Sequence, residues 1–226
     1  MAAKRKQPPK FGSGVLADSA HADDKGKVSC KGLFTIIWAW AYPCTRSGNI
    51  LATIFDLPKG TTSVSVSLGK RGSGGKKKSL SLVDVQSEEP AGAMTLHVPF
   101  KHRFTEAGRY EVVLKLRDYP GTLRIPFNLR EREWPEFSAK EKAFAEKNSD
   151  VQSAFRMNVH CASCEHAYIF EESLLSAEPK GGVLPFPDSG VFVCEECGRK
   201  LQLRDMQGQL RQSLKDNIAA QMRRSS

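Results

Sequence analysis

Between Val15 and about Leu129, short runs of alternating apolar and polar residues are separated by clusters of turn formers. The clearest is Thr62 to Leu68, where Val64, Val66 and Leu68 share one face and serines the other, the period of two that marks a half-buried strand. Leu16 to His21, the turn Asp23-Asp24-Lys25-Gly26 and the β-prone run from Val28 through Trp38 together predict a hairpin. Asn49–Phe55, Leu80–Val85, Met94–Val98, Arg109–Leu116 and Thr122–Phe127 predict further strands. The last two are joined at Asp118-Tyr119-Pro120-Gly121, and Pro126 confines its strand to a sheet edge. About eight strands with polar turns and no helical period between them predict a mainly β fold, an antiparallel β-sandwich over residues 15–129 behind a flexible basic tail, residues 1–14.

The pattern then changes twice. Residues 130–154 are densely charged, and Phe137 and Phe144 stand two helical turns apart, so this stretch reads as a helical linker. From Asp205, taken as an N-cap, Met206, Leu210, Leu214, Ile218 and Met222 recur every fourth residue and predict a terminal helix over 205–226. Each step of four advances roughly 40° around a 3.6-residue helix, so the stripe drifts. A heptad from Leu203, Met206 and Leu210 would next turn Ser213 and Asn217 inward. The helix is therefore expected to pack obliquely, on its own domain or on a partner protein, and not as a long parallel dimer.

Residues 155–204 carry the chemistry. Cys161-Ala162-Ser163-Cys164 and Cys194-Glu195-Glu196-Cys197 are two CxxC pairs 29 residues apart. A two-residue gap lets a tight turn aim two thiolates at one cation, and two such turns close a tetrahedral site. Gly198 follows the second pair, where a glycine frees the backbone to fold its amides toward sulfur. With Phe155, Met157 and Val159 entering the first pair, Tyr168-Ile169-Phe170 leaving it, Val191-Phe192-Val193 entering the second and Leu201 and Leu203 leaving, the segment resembles the zinc-ribbon family. The resemblance implies Zn(II) on Cys161, Cys164, Cys194 and Cys197 in a structural, closed site. The interval exceeds the compact spacing of roughly 15–20 residues, so the loop at 175–189 is expected to be an insertion. A redox dithiol is the competing reading, but it calls for one pair beside a βαβ unit. Iron suits the same four sulfurs. His160 and His166 flank the first pair and are read as neighbours of the ligands, since four thiolates fill the site.

Composition changes little of this. The chain has 226 residues, 40% of them hydrophobic, and its longest apolar run, Leu33 to Cys44, falls short of the roughly 20 residues a membrane span needs. No membrane association and a cytoplasmic location are expected. The net charge is +9, but Lys4, Arg5, Lys6 and Lys10 with Lys70, Arg71, Lys76, Lys77 and Lys78 account for all of it, leaving 25 basic residues against 25 acidic ones. Both stretches, about 1–13 and 69–78, are expected to be mobile decoration. Cys30 and Cys44 are read as buried free thiols, since disulfides are rare in a reducing compartment. Asp18, His21, Asp23 and Asp24 dress a strand end and turn more readily than they bind a second metal. Trp38, Trp40 and Tyr42 alternate along one face of a strand; such a row can stack single-stranded bases, but the residues between are apolar too, so core packing is expected.

Val15-Leu16-Ala17-Asp18, Gly26-Lys27, Gly32-Leu33-Phe34 and Phe104-Thr105-Glu106-Ala107-Gly108-Arg109-Tyr110 together resemble a family of uncharacterised bacterial β-sandwich proteins, which implies a fold and no activity. No phosphate-cradling loop or nucleophile elbow occurs in its required context. The chain thus reads as a non-enzymatic, zinc-binding protein-interaction module with a protein partner. Nucleic-acid binding through the tail, the 70–78 loop and the ribbon is the alternative, testable by its salt dependence.

Overall fold

A computed structural model of the chain describes residues 8–23, 27–72, 77–148, 150–175 and 181–225. It is mainly β and divides into two compact units. The first comprises residues up to Trp38 together with Thr45–Arg130, and the second Ala39–Cys44 together with the residues from Glu131 onward. Among the described residues no helix is long and apolar enough to cross a membrane.

The first unit is built from β1 (Lys10–Ala22), β2 (Val28–Phe34), β3 (Ile36–Ala39), β4 (Cys44–Leu57), β5 (Gly60–Lys70), β6 (Lys78–Ser87), β7 (Ala91–Phe104), β8 (Gly108–Leu116) and β9 (Thr122–Glu131), β3 and β9 running on into the second. They form a four-stranded sheet in the order β2-β1-β4-β7 and a five-stranded sheet in the order β3-β9-β8-β5-β6. Val64, Val66 and Leu68 of β5, Val112 and Leu114 of β8 and Ile50 and Ile54 of β4 are fully buried. The sheets meet through aromatic edges: Phe104 of β7 lies 5.1 Å from the Tyr110 ring and 6.0 Å from that of Phe127. That is the layered core of a β-sandwich.

Several expectations change in this unit. β1 begins at Lys10, so residues 10–14 belong to a strand and not to the tail; Lys10 and Phe11 pair with Phe55 and Ile54 of β4. A Cβ at Gly14 would stand 2.7 Å from the side-chain ends of Leu123 and Ile125, so β1 passes the other sheet closely there. The run from Val28 through Trp38 splits at Thr35, β2 pairing with β1 while β3 joins β9. Asn128 donates to Thr35 O at 2.8 Å and Arg132 to Ala39 O at 2.7 Å, so β3 runs parallel to β9 and lies beside it beyond Pro126. β9 is therefore an inner strand, flanked by β3 and β8, and not the sheet edge expected of it; Pro126, which lacks an N–H, sits where that side of β9 has no such bond to make. Cys30 is exposed, not buried, because β2 is the edge strand and all its residues are exposed or half-buried; Cys44 is buried as expected. Trp38 is 40% exposed on the outside of the five-stranded sheet, with the Arg130 guanidinium 5.8 Å from its ring centroid, so the tryptophan row is not a core stripe. Residues 1–7 and 73–76, and Asp24 to Gly26 of the first turn, lie outside the described residues; of the two stretches expected to be mobile decoration, Lys10 to Ser13 lie in β1, Gly69 and Lys70 in β5 and Lys78 in β6.

The second unit holds α1 (Ala139–Lys147), β10 (Ala154–His160), β11 (Ala167–Ser173), β12 (Val183–Pro185), β13 (Val191–Val193), β14 (Lys200–Gln202) and α2 (Arg204–Arg224). Ser138 caps α1 in a reciprocal box with Glu141, each side chain accepting from the other's backbone N–H. Phe137 and Phe144 pack with Ala145, Val151 and Leu174 against Leu214 and Ile218 of α2, so the helix expected as a linker is docked on α2. Of the predicted stripe on α2, Leu214 and Ile218 are fully buried, Leu210 and Met222 are half-buried and Met206 is exposed. The helix therefore covers its own domain, the first of the two packing alternatives.

Its start differs from the expectation. Leu203 takes the N-cap position, and Asp205 is buried within the first turn, accepting the Trp40 backbone N–H at 3.0 Å and a Gln209 amide hydrogen at 2.9 Å. Trp40 lies over Gly208, where a Cβ would come within 2.5 Å of the indole Cγ, which accounts for a glycine inside a helix.

Candidate metal centre

β10 and β11 are antiparallel neighbours, and the turn between them carries Cys161 and Cys164; β13 and β14 pair likewise around Cys194 and Cys197. The two turns repeat one another. Cys161 N–H donates to His166 O at 2.9 Å and Glu165 N–H to Cys161 O at 2.8 Å; Cys194 N–H donates to Arg199 O and Gly198 N–H to Cys194 O, both at 2.8 Å. The residue after the second cysteine is left-handed in each, Glu165 at φ +60° and Gly198 at φ +70°. Sequence reasoning found Gly198 but missed Glu165, because only a glycine advertises a positive φ. In both turns the first cysteine is buried and the second exposed.

All four Sγ atoms lie within 4.8 Å of one another, with Cys161 to Cys197 and Cys164 to Cys194 both at 3.6 Å. A tetrahedral cation with metal–sulfur bonds of about 2.3 Å needs sulfurs about 3.8 Å apart. The four side chains are thus close enough to hold a metal ion and are compatible with a zinc-ribbon-like site.

The surroundings favour negative charge on the first sulfur of each pair. Backbone amides of Ser163 and Cys164 hold the Cys161 thiol below its ordinary range. The Cys194 thiol is brought down to about 6, first by the Tyr168 hydroxyl at 3.2 Å and then by the Cys197 and Glu196 amides against the opposing effect of burial. Cys164 and Cys197 receive the amides of His166 and Arg199, but burial and neighbouring sulfurs outweigh these, and Cys164 is pushed up to about 12. Four thiolates cannot crowd one cage unaided; a cation removes the repulsion.

A small aromatic core supports the cage. Val159, Cys161, Tyr168, Phe170, Phe186, Cys194 and Leu203 form one buried cluster. Tyr168 bridges the two turns, its oxygen accepting the Glu195 N–H at 3.0 Å while facing the Cys194 sulfur. β12 and Phe186 come from the stretch expected as a mere insertion. β12 pairs parallel to β11, and the Phe186 ring lies 5.2 Å from that of Phe170, so the second half of 175–189 is part of the core; residues 176–180 lie outside the described residues. Glu172 of β11 is buried and bound by Arg211 and by Gln207, the latter at 3.0 Å, which ties the first hairpin to α2. His166 is 46% exposed, its ring tilted against that of Tyr168, and His160 is exposed; neither belongs to the sulfur cluster. Asp18, His21 and Asp23 form no metal-ligating group among the described residues.

No family model matches the chain, and no curated protein matches it, so the two family resemblances rest on their motifs alone. Among solved structures, a β-glucosidase from Listeria innocua in complex with glucose aligns at 11% identity and a TM-score of 0.32 over 52% of this chain and 16% of that one. A β-glucosidase from Erythrobacter marinus aligns at 9% identity and a TM-score of 0.34 over 54% and 15%. Superoxide reductase (neelaredoxin) from Ignicoccus hospitalis aligns at 7% identity and a TM-score of 0.29 over 52% and 83%. The chain spans about a sixth of the length of these glucosidases, and likenesses this low carry no argument about activity.

Proposed function

We propose that Cys161, Cys164, Cys194 and Cys197 bind one Zn(II) as a structural centre, and that the chain is a non-enzymatic, cytoplasmic protein-interaction module. The observation that carries the reading is the donor set: four sulfurs within 4.8 Å of one another suffice to fill a tetrahedral shell, which leaves no position for water or substrate. The ion's part is to hold the four thiolates together; the two turns aim them, and Tyr168 and the knuckle amides compensate their charge. A thiolate site also suits a reducing compartment. Among the described residues, Ile169, Val193 and Met206 are the large apolar side chains left exposed on the second unit, and they are the first places to look for a protein contact. The test is affinity capture from source cells with the full chain and with Cys194→Ser, each with and without nuclease. A protein partner that survives nuclease and is lost with Cys194→Ser supports the reading. Capture abolished by nuclease contradicts it.

A further inference from the structure

The neutral charge balance of the chain body conceals a polarised surface on the first unit. The outer face of the five-stranded sheet carries a groove of about 590 Å³ whose lining includes Arg71, Arg109 and Arg130 with Thr35, Pro126 and Asn128. All three arginines are exposed, and among the described residues no carboxylate pairs with any of them. The nearby Glu111 is buried and already bound by Lys77 and by Arg124, the latter at 2.8 Å, and Glu106 is paired with Lys70 at 2.9 Å. The arginines come from neighbouring strands, β9, β8 and the end of β5, where Arg71 N–H is fastened to Arg109 O at 2.8 Å. On β3, the next strand beyond Arg130, the exposed Trp38 ring stands against that guanidinium. At about 4.8 Å per strand the row from Arg71 to Trp38 spans about 14 Å.

We propose that this sheet face binds single-stranded nucleic acid, the arginines tracking phosphates and Trp38 offering a ring on which a base stacks. Guanidinium forks match phosphate oxygens, and an exposed aromatic beside them is the second component of a sequence-tolerant single-strand site. An acidic peptide would use the arginines but has no use for the ring. The proposal concerns the first unit and does not depend on the metal.

The test is fluorescence anisotropy of a labelled 20-nucleotide oligo(dT) with the full chain, its metal content measured in parallel, over a series of salt concentrations. The wild-type chain should bind, with affinity falling as salt rises. Replacing Arg71, Arg109 and Arg130 with Ala together should weaken binding and make the slope of log affinity against log salt shallower by about 2, at roughly 0.7 per phosphate neutralised. Trp38→Ala should weaken binding roughly 5- to 100-fold and leave the slope unchanged. The three arginines are exposed, so circular dichroism and thermal unfolding of the triple variant should not change; Trp38 is 40% exposed, and unchanged circular dichroism of Trp38→Ala at the assay temperature separates lost binding from lost fold. Absence of binding at low salt, an unchanged slope in the triple variant, or equal affinity for poly-glutamate overturns the proposal.

Discussion

Gly208 should resist the substitution that ordinarily strengthens a helix. In an exposed helix interior, Gly→Ala stabilises by about 1 kcal/mol. Here a Cβ would stand 2.5, 2.6 and 2.9 Å from Cγ, Cβ and Cδ2 of Trp40, atoms at the root of the indole that no rotamer change moves aside. Overpacking of this kind costs about 1–3 kcal/mol. Displacing Trp40 also endangers its N–H bond to the buried Asp205 carboxylate, a charge-assisted contact worth about 1.5–3 kcal/mol. The net expectation for Gly208→Ala is a loss of about 1–3 kcal/mol, or roughly 5–15 °C in melting temperature for a unit of this size. Hydrogen exchange of the α2 amides, with those of β5 in the first unit as an internal reference, reads the loss where it occurs. In a Trp40→Ala background the same substitution should become stabilising by about 1 kcal/mol, since the obstacle is gone. A gain in α2 protection for Gly208→Ala alone would refute the reasoning.

Other consequences follow from the knuckles and the first unit. Gly198→Ala should cost about 1–2 kcal/mol through backbone conformation alone, as a Cβ there meets nothing within 4 Å, whereas Glu165→Gly should gain up to about 1 kcal/mol; thermal unfolding of the metal-bound protein checks both signs. Tyr168→Phe removes the hydroxyl shared by Cys194 and Glu195 and should speed metal transfer to a chromogenic chelator about 10- to 100-fold; an unchanged rate would show that this hydroxyl does not support the centre. Glu111 is held below the ordinary carboxylate range by the Lys77 hydrogen bond, with Arg124 adding to it against burial. Its stabilising contribution is therefore complete above the unfolded carboxyl's pKa and is lost as pH falls through the lower folded value. Urea unfolding followed between about pH 5 and pH 2 should be less acid-sensitive in Glu111→Gln than in wild type, and equal sensitivity would contradict the assignment.

How far the sequence spoke depended on how local each signal was. The four cysteines were legible because a CxxC turn needs only its own four residues to aim two sulfurs, and β5 because an alternation of valine and serine states its buried face. The parallel pairing of β3 with β9 was hidden, since it joins residues about ninety positions apart. Trp38 and Trp40 look equivalent in a pattern of alternating aromatics, yet β3 ends at Ala39, so one ring faces Arg130 in the first unit and the other packs on Gly208 in the second. Asp205 has the composition of an N-cap, but its carboxylate is engaged by a backbone amide 165 positions away. The arginine groove escaped charge counting because a net charge sums over every face of the molecule. β12 was missed because three residues, one of them proline, carry too little pattern to announce a strand.

The metal centre underlies every property proposed for the second unit. Elemental analysis of freshly purified full-length protein, followed by X-ray absorption at the edge of whatever metal is found, tests it most directly. One zinc per chain surrounded by four sulfurs at about 2.3 Å is the predicted result. Protein that contains no stoichiometric metal and remains fully folded from β10 through β14 would contradict it.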